Sequence, residues 1–321
     1  MRSRVLIGAV AALALLATAC AGGSTGDSEG DNEVATTVIK VGTLKGQPHL
    51  FHPFFYEDFL PDGYEVEVVL LDSSPDIKNA TVSGSVDFGV TGIPAALSGV
   101  VAGEDVRVIA SAADGGTGIV GIPEIKSVAD LAGRKVGFPQ GASQEILLRL
   151  TLEAHGLSID DLDLVNLPFS DMAGALASGQ IDAFSSAEIG PSIAKQAGAV
   201  SIVDPYQTPV GKVNIGLISS QGFIDANPEI VQVLLEAHIA TVEHMLANPD
   251  DWADRVVAEF GVDPEVVATA ITNIWPRYTL EAAYINQTIA LATEMNALGY
   301  LASVPTAEDV FVTSFIASAS Q

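Results

Sequence analysis

Short apolar strand-like runs alternate with helix-like runs over most of the first 220 residues, and this alternation limits the fold more than any other feature. Residues 37–43 (TVIKVGT) and 64–71 (YEVEVVLL) have the pattern of strands. Residues 76–83 read as a short helix, 86–90 as a strand, 94–102 as a helix and 106–113 (VRVIASAA) as a strand. A second set follows: a short helix at 127–132, a strand at 135–138 and a helix at 143–155 ended by Gly156. Then come a strand at 162–167, a helix at 171–178 closed by Gly179, a strand at 183–185, a helix at 191–197 closed by Gly198 and a strand at 213–218. Strands spaced by single helices predict βαβ units and mostly parallel sheets. Beyond them the pattern becomes helical, at 228–247, 250–260, 264–275 and 280–298, with a last piece from Thr306. Trp252, Trp275, Tyr278 and Tyr284 fall in this helical third and are expected to be core. The result is two α/β blocks and a helical C-terminal third, with no fixed short repeat and no long linker. The crossings between blocks are expected at residues 119–123 and 213–217, which are short and apolar and suit a hinge.

The N-terminus sets the compartment. Arg2 and Arg4 precede an uncharged apolar run from Val5 to Ala19. That run is shorter than the roughly 20 residues of a membrane span and fits a secretory leader, residues 1–19. Cys20 follows at the expected cut and is the chain's single cysteine, so no internal disulfide is available. Residues 20–36 are rich in Gly, Ser and acids without apolar periodicity, the composition of a flexible tether. The formal net charge is −26, and losing Arg2 and Arg4 makes the mature chain more acidic still. Such a charge argues against nucleic acid and against a polybasic membrane contact.

Several phrases resemble one family. Leu16-Ala17-Thr18-Ala19-Cys20 resembles a bacterial lipobox, although Ala17 stands where lipoboxes prefer Leu. Residues 39–48 resemble the family's opening strand and ligand loop, and 82–90 (VSGSVDFGV) its small-Gly-x-hydrophobic-Asp signature. Residues 127–138 resemble its second-lobe opening, 175–183 (ALASGQIDA) match it most specifically, and Asn227-Pro228-Glu229 starts the return helix. These phrases, in this order, resemble the ABC-importer solute-binding proteins for alkanesulfonates, taurine, nitrate and thiamine precursors. The resemblance covers nearly all of residues 38–300. It implies an α/β, two-lobed, periplasmic-binding-protein-like fold (type II-like), with lobe 1 formed by residues 37–121 and 216–321 and lobe 2 by 122–215. It also implies a ligand in the interlobe cleft, a permease and ATPase as partners, and a lipid on Cys20 as the only membrane contact of an extracytoplasmic monomer. The chain departs from the family in its aromatic stretch at 47–60 and in having Ala187 where the family often has Trp.

The residue pattern supplies candidates for that cleft. Ser143 and Gln144 open a helix after Gly141-Ala142, and helix-start amides favour an anion or a carbonyl. Thr91-Gly92 and Gly115-Gly116-Thr117 follow strands, where ligands of open α/β sheets gather. Lys45, Gln47 and His49 lie in the loop after the first strand, with Lys45 suited to an anionic ligand and His49 to stacking or hydrogen bonding. Glu188 is placed to neutralise an ammonium group, and Asn214 to face the cleft from the return crossing. His49 and His52 stand three apart, but no further Cys/His cluster supports them, so neither a metal nor a cofactor is expected.

A non-catalytic binding protein is the leading reading. An enzyme on the same fold, of thiamine- or menaquinone-pathway type, and a sensory lipoprotein are the alternatives. Against an enzyme, the chain is exported and no nucleophile–base pair stands out. Replacing Cys20 tests the anchor: Cys20→Ser is expected to abolish labelled-palmitate incorporation, and incorporation that survives would refute lipidation at this residue.

Overall fold

The structure, a computed structural model, describes residues 36–319. The expected leader, Cys20 and the expected tether up to residue 35 lie outside the described residues. The first block opens with β1 (Thr37–Leu44), β2 (Tyr64–Leu71), α1 (Ser74–Val82), β3 (Phe88–Gly92), α2 (Ile93–Val101) and β4 (Arg107–Gly115). The second contains β5 (Thr117–Gly121), β6 (Lys135–Phe138), α3 (Ser143–Ala154), β7 (Asp163–Asn166), α4 (Phe169–Ala177), β8 (Ala183–Ala187), α5 (Gly190–Gln196) and β9 (Val200–Val203). The chain then returns through β10 (Val213–Ser219), α6 (Gln221–Ala226), α7 (Pro228–Ala247), α8 (Pro249–Phe260) and α9 (Pro264–Ile271). It ends with β11 (Ile274–Pro276), α10 (Ala282–Ala297), α11 (Ala307–Val310) and α12 (Ser314–Ala319).

Two sheets result. One has the order β11-β4-β10-β3-β1-β2, the other β7-β6-β8-β5-β9. β2, β1 and β3 are paired in parallel, as are β7, β6 and β8. β10 is inserted antiparallel between β3 and β4. β5 likewise runs antiparallel between β8 and β9. β10 and β5 adjoin the crossings, and the edge strand β11 also runs antiparallel, to β4.

Sheet membership moves the expected boundaries. β5 belongs to the second sheet, so the outward crossing is at Gly116 and not in residues 119–123. The return lies between β9 and β10, which places Val213, Asn214 and Ile215 in the first sheet. The apolar runs that read as hinges are buried strands. A further departure concerns residues 264–275: the helix ends at Ile271, and Trp275 lies in β11.

The signature phrases have a physical explanation here. Asp87, just before β3, accepts the Lys40 amide of β1 through Oδ2 at 2.8 Å and donates its own amide to Lys40 O at 2.9 Å. Asp182, before β8, does the same to Lys135 of β6, at 3.0 and 2.8 Å. Each Asp thus starts a strand by closing a two-point clasp on its neighbour.

The aromatic stretch at 47–60 forms three short 3-10 turns. Phe51, Phe55 and Tyr56 are fully enclosed, and Phe51 packs edge-on to Phe260 of α8. These rings are therefore core. Tyr56 Oη lies 2.8 Å from His238 Nδ1, while His238 Nε2 lies 2.8 Å from Ser111 O. The carbonyl can only accept, so Nε2 carries the proton and Nδ1 accepts from Tyr56.

Burial pushes His238 down to about 4 and His49 down to about 3, and it also lowers His52. All three are neutral in the fold but protonate near 6.5 once unfolded. Stability should therefore be complete above pH 6.5 and fall as pH drops through that value toward 4, by up to about 1.4 kcal/mol per unit for each histidine. Denaturant unfolding at pH 7.5, 6.0 and 5.0 checks this, and a flat profile would contradict neutral burial.

Candidate functional site

The outward crossing organises the candidate site. Only Gly116 separates β4 from β5, and both Gly115 and Gly116 have left-handed backbones, φ 78° and 74°. A Cβ at Gly115 would lie 2.4 Å from the Trp275 ring and 2.6 Å from Asn273 O. No other residue type fits there without movement. Gly115 N donates to Lys212 O and Gly116 N to Asn273 O, both at 2.7 Å. Asn214 Nδ2 donates to Gly115 O at 2.6 Å, and Glu188 N donates to Gly116 O at 2.7 Å. The two glycines are thereby fixed from the return strand, from the α9–β11 turn and from the end of β8.

Side chains converge on the same place. A Cβ on Gly116 would lie 3.4 Å from the His49 ring, so this ring covers the crossing. Gln144 Nε2 donates to Thr117 Oγ1 at 3.1 Å, and Gln144 O accepts Ser185 Oγ at 2.8 Å. Ser143 and Gln144 are buried at the start of α3, whose first amides lie outside the helical ladder. Thr91 Oγ1 donates to Ser74 O at 3.1 Å and the Gly92 amide to Ser74 Oγ at 3.2 Å, which joins the end of β3 to the start of α1. Two of the expected site residues carry buried polar atoms without a hydrogen-bond partner among the described residues: His49 Nδ1, at the crossing, and Gln47 Oε1, in the loop after β1.

Other expected roles change. Glu188 is fully buried, but its Oε2 accepts the amide and hydroxyl of Ser192, at 3.2 and 2.8 Å. Oε1 accepts Asn273 Nδ2 at 3.3 Å. Burial pushes this carboxyl upward, partly offset by the Ser192 bonds. It braces the α5 start against the α9–β11 turn, with three of the carboxylate's roughly four acceptor sites engaged. Asn214 serves the Gly115 carbonyl. Lys45 is exposed, and among the described residues no hydrogen bond or ion pair joins it to the cluster.

Sequence reasoning missed Asn273, Tyr206, Ser192, Ser185 and Ser74. Tyr206 Oη accepts the Thr117 amide at 2.9 Å and lies 3.0 Å from both Thr117 O and Asn273 Oδ1. Burial pushes its phenol upward, so it remains a donor. Only Ser74 had a signal, the Ser-Ser-Pro-Asp start of α1. Tyr206 and Asn273 reach Thr117 from 89 and 156 residues away. On the same side, Thr117, Glu188, Lys195, Tyr206, Lys212 and Trp275 border a depression of about 580 Å³. Trp275, expected in the core, is 38% exposed there, with Lys212 Nζ 3.3 Å from its ring centroid.

A family model described as NMT1/THI5 like matches residues 57–252, more than half the chain. The chain belongs to the NMT1/THI5-like family. A relative in Bacillus subtilis strain 168, described as an aliphatic sulfonates-binding protein, is 26% identical over 283 residues, 84% of this chain and 82% of its own. The formylaminopyrimidine-binding protein of Halalkalibacterium halodurans is 24% identical over 240 residues, 69% of this chain and 70% of its own. The crystal structure of the periplasmic aliphatic sulphonate binding protein SsuA from Escherichia coli superposes with a TM-score of 0.74 at 19% identity. It covers 86% of this chain and 97% of that one. The two-sheet α/β architecture of the family member described here is therefore shared with a solute-binding protein.

The crossing network can be tested by a double-mutant cycle. Tyr206→Phe is expected to cost about 1–3 kcal/mol, because it leaves the Thr117 amide unpaired. Combined with Asn273→Ala, the loss should fall short of the sum by about 0.5 kcal/mol or more. Full additivity in denaturant unfolding would argue that the two do not act together.

Proposed function

We propose that this protein is the extracytoplasmic solute-binding component of an ABC importer. In this reading it is a non-catalytic monomer tethered by a lipid on Cys20. It captures a small organic or anionic solute, of the sulfonate, nitrate or pyrimidine type, between the two sheets. The observation that carries the reading is the buried, unpartnered His49 Nδ1 beside the Gly116 crossing, with a second such atom, Gln47 Oε1, two residues earlier in the loop after β1. An enclosed polar atom without a partner costs about 1–3 kcal/mol, and a solute that bonds to it recovers that loss. The family membership and the relatives named for binding support the same reading.

The lobes of the proposal follow the sheets, with the crossings at Gly116 and in residues 204–212. His49, Thr91 and Gly92 would contact the solute from the first lobe, and Ser143, Gln144 and Thr117 from the second. A solute touching both favours the closed form by its differential affinity, and the permease and ATPase would receive that form. Because His49 is neutral and Lys45 exposed, an acidic group would rest on the first amides of α3. The Ser185 and Ser192 hydroxyls are engaged as structural donors, to Gln144 O and to Glu188, which supports a binding role for these two residues rather than a nucleophilic one.

Native mass spectrometry of the protein purified from its own cells should show a co-purifying small molecule. Taurine, ethanesulfonate, nitrate and formylaminopyrimidine form the thermal-shift panel. A true ligand at one hundred times its Kd should add about 2.7 kcal/mol of stability and reduce the radius of gyration. His49→Ala and Gln47→Ala should weaken that ligand about tenfold or more, Ser143→Ala less, and Lys45→Ala hardly at all. Failure of every small molecule to bind, or equal binding by all four variants, would overturn the reading or its site.

A further inference from the structure

The residue after the Ser143-Gln144 pair is Glu145, whose side chain has no exposure although it lies in the first turn of α3. A fully buried carboxylate is tolerated only when its oxygens are well supplied with donors. The donors here come from three places. The Gly141 amide donates to Oε2 at 2.7 Å, from the loop just before the helix. Arg149, one turn on, donates from Nε at 2.9 Å and from Nη2 at 2.7 Å, both to Oε1. The third donor is Tyr300 Oη, 2.7 Å from both oxygens. Tyr300 follows α10, and its amide donates to Met295 O of that helix. α10 packs on α2 and β10 of the first sheet, so the hydroxyl belongs to the other block from Glu145.

The apolar neighbours point the same way. Ile146 and Leu147 of α3 are fully buried in one cluster with Ile93 and Leu97 of α2 and Tyr284 and Leu291 of α10. Although α3 belongs by sequence to the second block, its first turn is docked on the first by a polar bond and an apolar contact. The Gly141 bond extends this docking to the loop, where Gly141 has a left-handed backbone, φ 77°. One carboxylate therefore holds the loop, the helix start and the opposite block.

We propose that Glu145 and Tyr300 form an interlobe latch, and that Glu145 is a positioning residue that presents the first amides of α3 and Ser143 to the cleft. The proposal rests on the solute-binding reading only for its effect on affinity. Its structural part is independent of any ligand. Glu145→Gln removes the charge opposite Arg149 inside the protein and risks general destabilisation. Tyr300→Phe removes a single hydroxyl from a half-buried ring and is the deciding variant.

The first measurement is amide hydrogen exchange of the ligand-free full chain. Tyr300→Phe should speed exchange at residues 141–144 about tenfold, the lower end of what one charge-assisted hydrogen bond supplies. Exchange in β1 and β2 should be unchanged. Unaltered exchange at 141–144, or an equal rise throughout the chain, would overturn the latch. The second measurement is calorimetry with taurine, ethanesulfonate, nitrate and formylaminopyrimidine. Any of these that binds the parent should bind Tyr300→Phe about tenfold more weakly, and an unchanged Kd would overturn the positioning role. If none binds the parent while exchange rises at 141–144, the latch holds and the solute-binding reading fails.

Discussion

The chain must pass from one sheet to the other through a single residue. β4 ends at Gly115 and β5 begins at Thr117, so the reversal is confined to Gly116 and its left-handed neighbour. Such a turn leaves main-chain groups without ladder partners, and they must be satisfied locally. Lys212, Asn214, Asn273 and Glu188 supply those bonds from three separate segments. Part of the polar cluster exists because the crossing is so short: the Asn214 side chain and the Glu188 amide, at residues attractive as ligand contacts in sequence, both bond the backbone of the turn. Beside this satisfied turn, His49 Nδ1 stays without a partner among the described residues.

Much of the architecture was legible because local chemistry and fold agree. Asp87 and Asp182 sit in similar phrases for one physical reason, since each clasps the amide and carbonyl of a neighbouring strand. Gly156, Gly179 and Gly198 followed helices as the pattern required, each with a positive φ. The boundaries between blocks were not legible. Residues 119–121 and 213–217 are apolar because they are central buried strands, and a buried strand and an apolar hinge look alike in sequence. Trp275 failed for a related reason: the periodicity of α9 runs past Ile271, and only pairing of β11 with β4 ends it.

The site was legible where a local signal marked it. The Gly141-Ala142-Ser143-Gln144 opening and the strand-end glycines are backbone features, and backbone features show in short phrases. The partners that decide what each side chain does are distant. Asn273 determines that Glu188 is a brace, and Tyr300 determines that Glu145 is anchored across the blocks. Neither relationship leaves any trace within a window of ten residues.

The two tryptophans occupy opposite environments. Trp252 is enclosed in the core, 2% exposed, while Trp275 is partly open at the crossing, with an ammonium group against its face and the Tyr206 ring edge-on at 5.9 Å. Any rearrangement of the return segment that carries Tyr206 and Lys212 must alter the field and the solvent around one indole and leave the other untouched. The molecule thus has an intrinsic fluorophore where its two sheets meet, and a Trp252→Phe form would emit from that position alone, without a label.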